Sequence, residues 1–125
     1  MAKHLVLIFL GGGLGSVIRY VLSRWIQNSA ASPFPWGTFT VNVLACFLFG
    51  LLIGFADHRG WIAAPYRYFW IVGFCGGFST FSAFSGDMLA LAEKSLFVQS
   101  AVYAIASVAL CFVAVVLGLF VSERL

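Results

Sequence analysis

The side chains in this sequence whose types and spacing could do chemistry point to the recognition of an ion. Phe78, Phe81 and Phe84 recur every third residue, and Thr80 stands four residues before Phe84, so in a helix they share one face. A phenyl ring is negative on its face and positive at its edge. Edges aimed at one point would attract an anion without offering a formal charge that traps it. Asn42 adds an amide, whose NH2 is a pair of donors. Tyr103, Ser107 and Cys111 follow one another at i, i+4 and i+8, placing a phenol, a hydroxyl and a thiol along one side of a helix. Together these groups form a line of donors. The same ring spacing also serves an aromatic packing stripe, and Asn in a membrane span also serves as glue between helices.

A second chemistry is written into "GFCGGFSTFSAFSG", Gly73 to Gly86. Gly73, Gly76 and Gly77 weaken a helix, and a break in mid-span frees backbone carbonyls that need new partners. Such carbonyls ligate cations in transporters and channels. If two copies met on a two-fold axis, the same few carbonyls would be doubled into a small oxygen cage for a hard monovalent cation. The alternative is a glycine kink whose bonds are satisfied by Ser79 or Thr80.

The elements that position these groups must be membrane helices. The 125 residues are 62% hydrophobic and 9% charged, with a mean hydropathy of +1.04, well beyond a soluble domain. At about 20 residues per span, the chain has room for one domain of four spans. They are expected over residues 5–26, 38–55, 66–92 with a break, and 96–121. The loops between them are short and carry Pro33, Pro35, Gly60 and Pro65, so neighbouring helices run antiparallel. Trp25, Trp36, Trp61, Tyr66, Tyr68 and Trp70 gather near the span ends, where amphipathic rings settle at the headgroups.

Basic residues are divided almost evenly. Lys3, Arg59, Arg67 and Arg124 fall on the face expected to hold both termini, with Arg24, Lys94 and the deeper Arg19 towards the other. The positive-inside rule needs a clear excess to fix orientation. The balance therefore allows insertion both ways and an antiparallel pair of copies, and four helices alone hardly enclose a polar path. No run of Lys or Arg points to nucleic acid or to a polybasic lipid anchor. Arg19 is expected either to concentrate anions at a vestibule mouth or to snorkel to the headgroups. Asp87, after the Phe repeat and near the end of its span, is the one acid within the 66–92 segment.

Other features are bland. Gly11 and Gly15 form a small-xxx-small pair for close helix packing, not a nucleotide loop, since no Lys-Ser/Thr follows. Cys46, Cys75 and Cys111 lie within spans, make no C-x-x-C or Cys/His metal pattern, and are expected to be small apolar fillers. The first apolar run contains Arg19 and Arg24, is too long for a signal h-region and lacks an A-x-A site, so it is expected to remain as a helix.

Taken together, "GGGLGSVIRY", "WGTFTVN" and "GFCGGFSTFSAFSGDML", in this order and spacing, resemble the CrcB/Fluc family of small fluoride channels. The resemblance spans nearly the whole chain, and its third segment is the most specific. It implies an all-α, dual-topology homodimer of four-helix subunits, with two antiparallel pores that conduct fluoride passively and reject chloride; a small multi-pass chain without an evident signal peptide is expected in a bacterial inner membrane. By position it makes Phe81 and Phe84 the pore phenylalanines and Asn42 the pore asparagine. It adds Thr80, Tyr103 and Ser107 as further pore-lining residues, with Arg19 at the aqueous entrance. It also implies a structural sodium ion held by the backbone carbonyls of Gly76 and Ser79, doubled by symmetry. Cys111 departs from the pattern, a thiol being a weaker donor than the hydroxyl expected in some relatives.

The main rival is a dimeric four-helix exporter of the small multidrug-resistance type. Proton-coupled drug exchange calls for a carboxylate deep in a span, and the first helix carries Arg19 and no acid. A non-conducting membrane assembly protein would use Phe81, Phe84 and Asn42 for packing alone. An enzyme is not expected, since no paired carboxylates or His/Cys constellation share a cleft.

Overall fold

The computed structural model describes residues 1–125, and all of its regular structure is helical. The elements are α1 (Ala2–Ala30), α2 (Trp36–Asp57), α3 (Ala64–Arg67), a π-helical stretch (Tyr68–Cys75), α4 (Gly76–Phe78), α5 (Phe81–Glu93) and α6 (Phe97–Arg124). α1, α2 and α6 are each long and apolar enough to cross a membrane. They run past the expected ends because polar residues such as Lys3, Gln27 and Glu123 continue the helix where headgroup water satisfies the backbone. Ala31 closes α1 in the left-handed conformation, and α2 starts directly after Pro35.

The third expected span, 66–92, is divided. From Ala64 to Phe78 the backbone stays helical; Ser79 (φ −85°, ψ 158°) and Thr80 (φ −151°, ψ 120°) are extended, and α5 begins at Phe81. The chain thus leaves the helix after the glycines, not at them. Gly73 and Gly77 serve a different purpose. A Cβ on Gly73 would stand 2.8 Å from the Ile8 carbonyl oxygen and 3.0 Å from the Gly12 nitrogen, and one on Gly77 would run into the Gly12 backbone. Their missing side chains let this rod lie directly on α1.

Close backbone approach is the rule elsewhere as well. A Cβ on Gly15 would lie 2.9 Å from the Phe78 nitrogen, so the Gly11/Gly15 face of α1 seats the π-helical stretch and α4; on α6, a Cβ on Gly118 would lie 2.8 Å from the Leu51 nitrogen of α2. Small residues let backbones gain dispersion contact where lipid supplies no hydrophobic drive. Two small cores result. Val41, Ala45 and Phe78 form one; Phe84, Leu91 and Tyr103 form the other. Large apolar side chains on α1 (Phe9, Trp25) and α6 (Ile105, Phe112) stay exposed on the single chain, as faces that meet lipid or protein must.

The ends are distinct. Arg59 donates to the carbonyls of Ser122 (3.3 Å) and Glu123 (2.7 Å), Arg67 pairs with Asp57 at 2.7 Å, and His4 stacks on Tyr68 at 4.1 Å. These contacts gather both termini and the α2–α3 loop at one end. Arg24 and Lys94 meet at the other.

Candidate functional site

A cavity of about 240 Å³ lies where α2, α5 and α6 meet the extended residues. α2 supplies Asn42 and Cys46, the interruption Ser79 and Thr80, α5 Phe81 and Phe84, and α6 Ser107, Val108 and Cys111. Hydrocarbon offers no partner to the backbone groups that an interruption exposes, so neighbouring side chains take them up. The Thr80 N–H donates to Asn42 Oδ1 at 2.8 Å, and Asn42 Nδ2 donates back to the Thr80 carbonyl at 3.1 Å. Thr80 then caps α5, its Oγ1 accepting the Ala83 N–H at 3.2 Å, the preferred role of Thr before a helix. Ser79 returns both its N–H (3.1 Å) and its Oγ (3.0 Å) to the Cys75 carbonyl. Arg19 Nε donates to the Gly77 carbonyl at 3.1 Å.

The groups left over are those aimed into the cavity. Asn42 spends one amide N–H on Thr80 and keeps a second. Ser107 is 5% exposed and its Oγ has no partner. The rings of Phe81 and Phe84 stand 5.5 Å apart at 44°. Phe84 is buried, whereas Phe81 is 77% exposed on the single chain. The wall is therefore mostly ring and methylene, with a few unspent donors set close together.

The profile described as "CrcB-like protein, Camphor Resistance (CrcB)" matches residues 6–119. The chain belongs to the CrcB family. It is 45% identical over 121 residues to the Fluoride-specific ion channel FluC of Phocaeicola vulgatus, covering 97% of this chain and 99% of that protein. The FluC of Rhizobium meliloti is 44% identical over 117 residues, 94% of each chain, and that of Azobacteroides pseudotrichonymphae 38% identical over 123 residues, 98% of each. These relatives carry the names of channels, not of enzymes. With its apolar, span-length helices, this CrcB chain is a multi-pass integral membrane protein.

Two of the residues singled out in the sequence lie elsewhere in the CrcB fold. Arg19 does not line the cavity; it is half-buried and turned onto the Gly77 carbonyl, where it compensates a backbone oxygen. Tyr103 is fully buried between Phe34 (5.5 Å, edge-on) and Phe84 (5.0 Å), and its hydroxyl donates to Asp87 Oδ2 at 3.3 Å. Asp87 belongs to a second, more polar cavity of about 350 Å³, walled also by Arg24, Gln27, Thr38 and Lys94. Tyr103 thus stands between the two spaces, touching a lining residue of each. Sequence reasoning missed Cys46 and Val108 as lining residues, although Cys46 lies one helical turn from Asn42 on the same face of α2.

The carbonyls of Gly76 and Ser79 suit a hard cation by their chemistry. Neither accepts any of the chain's loop or side-chain hydrogen bonds, and the Thr80 N–H, which would close the next helical turn on Gly76, goes to Asn42 instead. Both residues line a groove of about 170 Å³ with Ala45, Cys46, Phe49 and Cys75, which shares Cys46 and Ser79 with the cavity. One chain offers only these two neutral oxygens. A monovalent cation would need a second set.

Proposed function

We propose that this CrcB chain is a fluoride-selective channel that lets fluoride leave the cell passively, working as an antiparallel, dual-topology homodimer with a structural sodium ion between the subunits. The observation that carries the fluoride reading is the unpartnered, buried Ser107 hydroxyl beside Phe84 in a cavity whose other donors come from Asn42 and Thr80. Fluoride is small and holds its water tightly, so a pore must replace that shell with closely spaced donors. The second Asn42 N–H, the two hydroxyls and the ring edges of Phe81 and Phe84 are of that kind. None carries a charge that would hold the ion fast. Chloride is larger and is excluded where the rings leave no room. Arg24 and Lys94 raise the local anion concentration in the outer cavity. The full-length likeness to relatives named as fluoride-specific channels agrees with this reading.

The dimer is supported by what one chain leaves unfinished. Phe81 presents a bare ring to the outside of the subunit, and the cavity it borders is not enclosed by one copy. The near-equal division of Lys and Arg between the two ends permits opposite insertion of two copies, and an antiparallel pair is isologous. On its axis the Gly76 and Ser79 carbonyls of both copies would supply four oxygens to sodium. Neutral hydrogen fluoride crosses the membrane, ionises inside and is trapped. A passive path then lets the membrane potential drive the anion out without a nucleotide.

Reconstitution into liposomes, read with fluoride- and chloride-selective electrodes, tests the reading. Fluoride release with chloride retained, lost in Ser107→Ala, is the expected result. Equal release of both anions, or of neither, would sink it. A structure of the assembled protein with parallel subunits, or with the Ser79 carbonyls paired inside their own chains, would refute the dimer and sodium parts.

A further inference from the structure

Cys46 and Cys111 are 65 residues apart in sequence and show no metal motif, but the close approach of α2 and α6 brings them to one wall. Both are free thiols that line the same cavity beside Ser107. No third His, Cys, Asp or Glu joins them as a cluster. We infer that Cys46 and Cys111 form a two-thiol site for a soft divalent cation of the mercuric type on the cavity wall.

The ligand count and the surroundings select the metal. Thiolates favour soft ions, and zinc at a protein site asks for four ligands in a tetrahedron, which this wall does not supply. Mercuric ion is satisfied by two thiolates in line. Charge decides between the soft ions that accept two ligands. Two thiols and one Hg2+ give a neutral bis-thiolate and two released protons, with both sulfur–hydrogen bonds exchanged for sulfur–mercury bonds and no change of oxidation state. Silver or cuprous ion in the same place would leave one resident negative charge, and no cationic side chain lines the cavity to pair with it. Cys75 borders the groove that Cys46 also lines, but it is not on the cavity wall with Cys111, and the three thiols form no single cluster. A metal held between Cys46 and Cys111 would stand beside Phe84 and Ser107 and obstruct the cavity; the blocking of fluoride rests on the function proposed above.

Binding is tested on the full-length protein in detergent by native mass spectrometry with mercuric chloride, alongside zinc chloride. One mercury per chain should survive an equimolar monothiol competitor, and zinc should not bind. Because two linked ligands hold the metal by their effective concentration, removing either should weaken binding by roughly 100-fold or more. Cys46→Ala and Cys111→Ala should therefore lose the metal while Cys75→Ala keeps it, and Cys46→Ser and Cys111→Ser serve if an alanine variant does not elute as folded protein. Retention of mercury by both single variants, loss on Cys75→Ala, or equal binding of zinc would overturn the site. In liposomes, mercury should stop fluoride release from the wild type, whereas Cys111→Ala should release fluoride at the same rate with mercury as without it, whatever that rate is. The mass measurement needs no transport, so an untreated protein that moves no fluoride counts against the proposed function alone, and unchanged mercury binding in the single variants counts against this site alone.

Discussion

The two halves of the divided third span are built on opposite plans. From Tyr68 to Phe78 the chain is a rod pressed backbone to backbone on the glycines of α1, with Phe78 buried among Val41 and Ala45. From Phe81 to Glu93 it is an ordinary α-helix that leans on α6 through side chains, keeps Phe81 in the open and carries an uncrowded Gly86. One half is held by what its residues lack, the other by what they present. The rod is scaffolding, and the Gly77 and Cys75 carbonyls near its end are answered within the chain by Arg19 and Ser79. The helix is the reading surface, and the unspent donors of Asn42 and Ser107 border it.

Substitutions can break or sharpen that contrast. The largest effect is expected at Gly15→Leu, which drives a side chain into the Phe78 backbone. Overpacking costs about 1–3 kcal/mol even where neighbours can shift, and a facing backbone cannot, so size-exclusion chromatography should show aggregate. A folded, active variant would dissolve the scaffold reading. Next comes a pair of phenylalanines in one repeat. Phe78→Ala should lower stability by about 3–5 kcal/mol, seen as an early thermal transition in detergent. Phe81→Ala should leave that transition nearly in place and reduce fluoride release instead. Equal destabilisation of the two would erase the difference between the halves.

Asn42→Ala is intermediate. It strands the Thr80 N–H and carbonyl, at about 1–3 kcal/mol for each group left unsatisfied, so melting temperature and flux should fall together. Ser107→Ala should separate the two readouts, since it removes a buried hydroxyl that bonds to nothing in the chain. Thermal stability should hold or rise slightly while fluoride release falls at least several-fold; a matching loss of stability would make Ser107 a structural residue. The smallest effect belongs to Gly86→Ala, where the added Cβ meets nothing within 4 Å. A gain of about 0.5–1 kcal/mol is expected from helix preference.

Much of this arrangement is legible in the sequence because a membrane chain must segregate its polar groups. Composition and hydropathy reveal the apolar segments, and helical spacing puts Ser107 and Cys111 on one face. What stays hidden depends on partners far along the chain. Glycine both breaks helices and lets them touch, and only the opposing Gly12, 61 and 65 residues back, decides that Gly73 and Gly77 touch. The extended pair Ser79–Thr80 is fixed by an amide on another helix. Arg19 reads as a residue for water or headgroups until Gly77 stands beside it, and Tyr103 reads as a cavity residue until Phe34 and Asp87 enclose it. Cys46 and Cys111 read as fillers because no linear motif joins them.

The exchange of hydrogen bonds between Asn42 and Thr80 also bears on the order of events in biosynthesis. The two residues are 38 positions apart, and a ribosome adds about 5–20 residues per second, so Asn42 precedes Thr80 by roughly two to eight seconds. α1 and α2 emerge first and carry the amide with them. When the interrupted segment leaves the ribosome, the side chain that pairs both of its bare backbone groups has already been made, and the most polar point of the third span is the one whose partner is delivered in advance.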